Sequence, residues 1–408
     1  MMNAIHLTVL KALRHELFGG EKPQLNNVDV QAVLKEAEQQ AVFPLVYIVF
    51  KDELERFLSP AQCAELASEY FVNISNSIRV QEEHGELNDI MTEAGIPYVI
   101  LKGSASAAYY PEPELRTMGD VDFLVYEKDI QGGIKALEAH GFHRDQYEFT
   151  TNQSAYHRFP MTTWEIHKSP TGIPKGKEGE PIRKALSDII KTAQPYEHVG
   201  VRFNTPDPYH HGIILLLHKI SHMTSSGIGL RHLCDWAVFE SSYSNDAFVQ
   251  TFEKSLRSFG VWKFAQIMTM MCEKYLGAPK RAWARNPEIG ARQLEAIIND
   301  IFSGGNFGKK DANRIREIKY LTDRKEGKPG NKGMAAQALS SLNEKVYAEH
   351  PTIRKYKVLL PAGWTIEGGK YLGMLITGKR KSKNTTAMLK EASKRKNIYS
   401  NMELFKAE

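Results

Sequence analysis

Two aspartates, Asp120 and Asp122, stand two residues apart near the end of the segment Leu101–Val125, LKGSASAAYYPEPELRTMGDVDFLV. In an extended strand, residues two apart project to the same face, so these acids point together while Val121, Phe123 and Val125 turn to the other side. Carboxylates placed this way can hold a divalent cation, because Mg²⁺ is usually bound by one or two carboxylates plus substrate phosphates and water. Upstream, Gly103-Ser104 falls where a strand gives way to a helix. Glycine there lets a phosphate approach the backbone, and the serine hydroxyl and helix amides suit anionic oxygens. Each feature alone has an ordinary reading, two solvated acids or a common turn. Their occurrence in one short segment points to phosphate and metal chemistry.

A second polar stripe lies further on, in His210–Trp236. His211, Leu215, His218 and His222 fall at helical spacing on one face. The pair His218 and His222 has the spacing of a transition-metal chelate, but there is no HExxH and no suitably placed cysteine, so the face is expected to pack on the core. Lys219 lies one position around, either solvated or reaching toward a triphosphate. Arg231 and Asp235 are four apart, the spacing of an intrahelical ion pair.

The elements that would position these residues can be read from periodicity. Residues 1–95 are expected to be helical, with apolar positions at Leu7, Leu10, Leu13 and Leu17 and one long helix from Ser59-Pro60 to Gly95. Ile96–Gly103 then reads as a buried strand, Ala105–Tyr110 as a short helix, Asp120–Val125 as a strand and Lys128–His140 as a helix. Strands are expected at Ala155–Phe159 and Thr163–His167, and a Pro/Gly/Lys-rich loop at Pro170–Pro181. Helices resume over Tyr209–Met223 and Leu230–Ser241 and continue to about Leu276, and KEGKPGNK at Lys325–Lys332 reads as a linker. This gives an α+β protein with a small mixed-sheet core between helical regions. The expected divisions are 1–95, 96–205 for the α/β core, 206–345, and a basic extension 346–408.

Composition narrows the class. The 408 residues are 42% hydrophobic and 25% charged, which suits a folded globular chain of two or three domains. Cys63, Cys234 and Cys272 show no CxxC spacing, so neither a disulfide framework nor a structural zinc site is supported. The first twenty residues are interrupted by His6, Lys11 and Arg14 and lack a signal-peptide pattern, and the longest apolar run, Ile213–Leu217, is too short for a bilayer. The expectation is a cytoplasmic protein with no membrane insertion. The net charge of +5 is concentrated between Lys379 and Lys396, where eight basic residues face only Glu391.

The segment resembles the nucleotidyltransferase superfamily of the DNA polymerase β type, and a bacterial branch with LKG, a Tyr-Pro pair, an arginine and Asp-x-Asp. Here these are Leu101-Lys102-Gly103, Tyr110-Pro111, Arg116 and Asp120-Val121-Asp122. Leu230-Arg231-His232-Leu233-Cys234-Asp235-Trp236 resembles a second block of that branch, in which Arg231 and Asp235 would shape a cleft. The resemblance implies a third carboxylate on a later strand. Glu165 in Trp164-Glu165-Ile166-His167 fits, with Asp145 and Glu148 as alternatives, and His167 would stand behind the metal, contact phosphate, or be a structural histidine bonded to a carbonyl.

The implied reaction transfers a nucleoside monophosphate from a nucleoside triphosphate to a hydroxyl. Mg²⁺ or Mn²⁺ would be held by Asp120, Asp122 and Glu165, with Lys102, Gly103, Ser104, Arg116 and Lys219 around the triphosphate. A small molecule or sugar is the favoured acceptor. The alternatives are a transferase acting on tRNA, other RNA or protein, with the basic tail as an arm, and a nucleotide-binding protein without catalysis.

Overall fold

A computed structural model describes residues 2–149, 153–311, 343, 346–347, 350, 352–353, 357–376, 395, 398–399 and 401–406. The chain divides into two compact units, Met1–Asp311 with Asn401–Glu408, and Ala312–Ser400. In the second, a helix over Leu360–Ile376 carries Trp364, whose indole donates to Asn343 Oδ1 at 2.7 Å. The linker 325–332 and the basic stretch 379–396, apart from Arg395, lie outside the described residues.

The first unit opens with helices α1 (Ala4–Phe18), α2 (Val30–Gln39), α3 (Phe43–Phe50) and α4 (Pro60–Glu93). Leu10, Leu13 and Leu17 are buried as their spacing predicts, whereas Leu7 is exposed. Helix α4 is the single long helix expected. Ser59 and Gln62 form a reciprocal capping box at its start, Pro60 occupies the first turn, and Gly95 follows its end at φ +65°.

The core follows as β1 (Tyr98–Ile100), α5 (Ser104–Ala107), β2 (Val121–Val125), α6 (Ile130–Ala139), β3 (His143–Phe149), β4 (Gln153–His157) and β5 (Trp164–His167). They form one mixed sheet in the order β1-β2-β5-β4-β3, in which only β2 and β5 run parallel. Val121, Phe123, Val125, Trp164 and Ile166 point to one face and pack with Val80, Leu87, Ile90 and Met91 of α4 and Leu137 of α6. The alternation therefore holds: one face of β2 and β5 builds the core and the other carries the acids. β1 is shorter than the apolar run implied, and α5 is a single turn because the chain bends again before Pro111.

After α7 (Glu180–Ala185) comes a hairpin that periodicity does not reveal, β6 (Gln194–His198) and β7 (Val201–Thr205). Its turn, Val199-Gly200, has positive φ at both residues, the requirement of a two-residue hairpin loop. Gly85 of α4 admits this hairpin, since a Cβ there would stand 2.7 Å from Val201 Cγ1. Helices α8 (Pro208–Met223) and α9 (Leu230–Ser241) match the expected spans and precede further helices that reach Gly304. Among the described residues no helix is long and apolar enough to cross a membrane.

The α/β core and the helical half are joined by a buried ion pair. Arg116, from the loop before β2, donates from Nε and Nη2 to the two oxygens of Asp235 on α9 at 2.8 and 2.9 Å. Tyr110 donates to the same carboxylate at 2.8 Å. This corrects the expected intrahelical pair: Arg231 instead donates to the Thr117 carbonyl at 2.9 Å, on the same loop. Asp235→Ala would strand the Arg116 guanidinium, which is 5% exposed, and is expected to cost about 3–5 kcal/mol. The double variant Arg116→Met/Asp235→Leu should lose clearly less, and urea denaturation of the three proteins measures both differences.

Candidate active site

Asp122 and Glu165 are in register across the parallel pair β2 and β5, as are Leu124 and His167 one step on. All four share the face opposite the core. One oxygen of Asp122, one of Glu165 and a ring nitrogen of His167 lie within 4.8 Å of one another. His167 Nε2 is 2.8 Å from Asp122 Oδ1 and 3.4 Å from Glu165 Oε2, so it faces carboxylates and not the backbone carbonyl that a structural histidine would take. Its other ring nitrogen is buried without a partner among the described residues. Asp120 lies just before β2, exposed and outside this cluster. Its charge nevertheless raises the affinity of Lys102 and Glu165 for protons.

Lys102 follows β1 and sends its ammonium to within 2.7 Å of Asp122 Oδ2. Burial opposes the charge of Asp122, but Lys102 and the hydrogen bond to His167 outweigh it and hold the carboxyl well below the usual range. Glu165 shifts the other way. Burial raises it, and the charges of Asp122 and Asp120 add to that against the hydrogen bond from His167. Gln153 of β4 donates to Glu165 Oε2 at 2.7 Å and fixes its rotamer. For His167, burial favours the neutral ring, yet the two carboxylates prevail and raise its pKa. The two acids thus sit in environments that push their proton affinities apart.

The turn beside them is held from α4. Gly103 adopts φ +62°, open to glycine at no cost, and a Cβ there would lie 3.5 Å from the His84 ring. Ser104 is 2% exposed, and its hydroxyl meets His84 Nδ1 at 3.2 Å and Met118 Sδ at 3.6 Å. His84 Nδ1 also lies 2.7 Å from the Val80 carbonyl, and burial lowers its pKa to about 4. Glu83, the next residue toward the N-terminus, accepts from Thr162 N at 3.0 Å, from the Thr162 hydroxyl and from Trp164 Nε1 at 2.9 Å. It thereby anchors the start of β5, the strand that carries Glu165 and His167. Neither Glu83 nor His84 was singled out in the sequence, where both read as ordinary polar positions in a helix.

The remaining predicted residues are placed differently. Asp145 pairs with His157 across β3 and β4 at 3.0 Å, and the side chain of Glu148 lies outside the described residues. The histidine face of α8 does pack on the core: His211 stacks on Tyr109, and His218 Nε2 is 3.3 Å from Lys102 Nζ and 2.8 Å from His222 Nε2. Arg116 and Lys219 have their cationic heads committed elsewhere, Arg116 to Asp235 and Lys219 to the Leu215 carbonyl at 3.2 Å. Lys219 is 1% exposed beside the Trp236 ring, so it is not the solvated lysine its helical position allowed. Burial lowers its pKa to about 8, partly offset by Asp235.

That depression has a signed consequence. Below pH 8 the folded chain bears the full cost of a buried ammonium. Between pH 8 and the ordinary lysine value of 10.5 the folded state sheds the proton first, and the penalty fades. Lys219→Met is therefore expected to be more stable than the parent at pH 7, by a gain on the order of 3 kcal/mol. The gain should shrink as pH rises through that window, which paired denaturation curves at pH 7, 8.5 and 10 would show.

A family profile described as "uncharacterised nucleotidyltransferase" matches residues 26–277. The matched span holds α4 with Glu83 and His84, the whole mixed sheet, the Lys102-Gly103-Ser104 turn, and both α8 and α9. No curated protein matches the chain. On this match, over more than half its length, the chain belongs to the family of uncharacterised nucleotidyltransferases, whose general role is nucleotidyl transfer.

Proposed function

We propose that the protein is a metal-dependent nucleotidyltransferase. It moves a nucleoside monophosphate from a nucleoside triphosphate to a hydroxyl of a small molecule or sugar and releases pyrophosphate. The observation that carries this reading is the register of Asp122 with Glu165 beside the Lys102-Gly103 turn. The donor set suits Mg²⁺ or Mn²⁺: carboxylate oxygens of Asp122 and Glu165 lie within 4.8 Å of one another, and a further carboxylate, Asp120, lies two residues before Asp122. A cation held by Asp120, Asp122 and Glu165 would supply charge neutralisation at the triphosphate.

The chain's own residues do the rest. Asp122, kept ionised, is the fixed anionic anchor. Glu165, with its raised proton affinity, accepts the proton of the attacking hydroxyl, as a general base should whose pKa has moved toward working pH. His167 holds both carboxylates at a set separation through Nε2. Lys102 is the cation for triphosphate oxygens, and Gly103 leaves the backbone open to them. Arg116 acts through position, locking the loop that leads into Asp120, while Ser104 keeps the turn seated on α4. The three thiols, all free, suit a reducing cytoplasm.

Incubation with α-labelled nucleoside triphosphates, Mg²⁺ or Mn²⁺ and fractionated small-molecule extract is expected to transfer label to an acceptor. Asp122→Asn and Glu165→Gln should each reduce transfer by at least about a hundredfold. No labelled product and no pyrophosphate across all four nucleotides would reject the reading.

A further inference from the structure

Both oxygens of the Asp122 carboxylate are already engaged. Lys102 Nζ is 2.7 Å from Oδ2 and His167 Nε2 is 2.8 Å from Oδ1. The Asp122 side chain is 2% exposed and that of Lys102 is 20% exposed, so the ammonium is the more accessible partner. A divalent cation attracted to Asp122 and Glu165 would meet a positive charge on the carboxylate it needs most. In so buried a place that repulsion is weakly screened.

Lys102 has one more neighbour. His218 Nε2 of α8 lies 3.3 Å from Nζ in the same position of the ammonium, and His222 Nε2, 2.8 Å away, competes for the one lone pair of that nitrogen. A lysine is a point charge on a flexible four-carbon stem, so its head can leave Asp122 while the stem stays rooted behind β1. It will do so when the loss of Asp122 is offset by another anion. The triphosphate of a nucleotide is such an anion.

We propose that Lys102 is a built-in counter-cation that occupies Asp122 in the metal-free protein and gives it up when a triphosphate takes its ammonium. Divalent metal alone is then turned away, and metal and nucleotide bind as a linked pair. This rests on the transferase reading above. A lysine that only pairs Asp122 makes a different demand: with no contact to the triphosphate, it would leave the coupling between metal and nucleotide the same in Lys102→Gln as in wild type.

Mn²⁺ binding to the full chain, followed by electron paramagnetic resonance of the free ion, separates the two. Without nucleotide, Lys102→Gln is expected to bind Mn²⁺ at least tenfold more tightly than wild type, whereas Lys102→Arg, which keeps the charge, should match wild type. In Lys102→Gln the tightening of Mn²⁺ by α,β-methylene nucleoside triphosphates should be correspondingly smaller, as reciprocal coupling requires. Mn²⁺ binding to Lys102→Gln no tighter than to wild type overturns the proposal, even where label transfer proceeds normally. Should Lys102→Gln fail to fold, wild type alone still decides: Mn²⁺ bound as tightly without the triphosphate analogues as with them overturns it. Absence of Mn²⁺ binding with every analogue, together with absence of label transfer, overturns the transferase reading itself.

Discussion

A charged carboxylate on a fully buried strand is the constraint around which this core is arranged. β2 is buried at every position, and Asp122 is its second residue. An ionised acid in such a place is tolerated only when it is paired and hydrogen-bonded. Its partners arrive from both neighbouring strands, Lys102 from the end of β1 and His167 from β5. Both depend on register: with β5 slipped by one residue against β2, Trp164 and Ile166 would face the acids and Glu165 and His167 would enter the core. The apolar pattern of β5 and the electrostatic need of β2 thus select the same pairing.

Helix α4 serves as the keel. Its apolar side fills the core beneath the sheet, and two adjacent polar residues tie it to the strands beside β2 by different routes. Glu83 ties down Thr162 and Trp164 at the start of β5, and His84 supports the Gly103-Ser104 turn at the end of β1. One rigid helix therefore sets the position of both strands that flank β2. The Arg116 and Asp235 pair does the same for the third contributor, since the loop into Asp120 is fixed to α9 and not left to solvent. Catalytic geometry needs supporting contacts of this kind, because small displacements of the reacting groups are costly.

Much of this was legible in the sequence, for a simple reason: strand alternation is local. Glu165 and His167 declare their shared face over a few residues, Asp122 takes the face that alternation gives it while Asp120 falls just before β2, and a capping residue marks α4, with the spans of α8 and α9 legible to within a residue or two. Contacts that close over long separations leave no such trace. Glu83 is 81 residues from the indole it holds and Arg116 is 119 from Asp235, so nothing near either position announces its partner. Spacing alone paired Arg231 with Asp235 because a neighbour on the same helix is the nearest available ion. In the fold, a better geometry comes from Arg116, whose planar fork meets both carboxylate oxygens. The same local view leaves Lys219 solvated or facing a triphosphate, since lysine is seldom buried, and it does not reveal the hairpin β6–β7, whose strands are short and whose turn lacks an Asn-Gly pair.

The division of labour between the two registered acids follows from what each touches. Asp122 has an ammonium and an imidazole against its oxygens, and these outweigh burial and keep it charged. Glu165 shares the imidazole but faces the charges of Asp122 and Asp120, and burial is not offset by a cation of its own. Neighbouring carboxylates of equal proton affinity could not take different parts in one reaction, and unequal ones can. Lys102, 2.7 Å from Asp122, makes the largest favourable contribution to that asymmetry, with burial and the charges of Asp122 and Asp120 acting on Glu165. In the unliganded chain, Lys102 therefore does most to hold Asp122 as an anion, while Glu165 keeps the greater proton affinity.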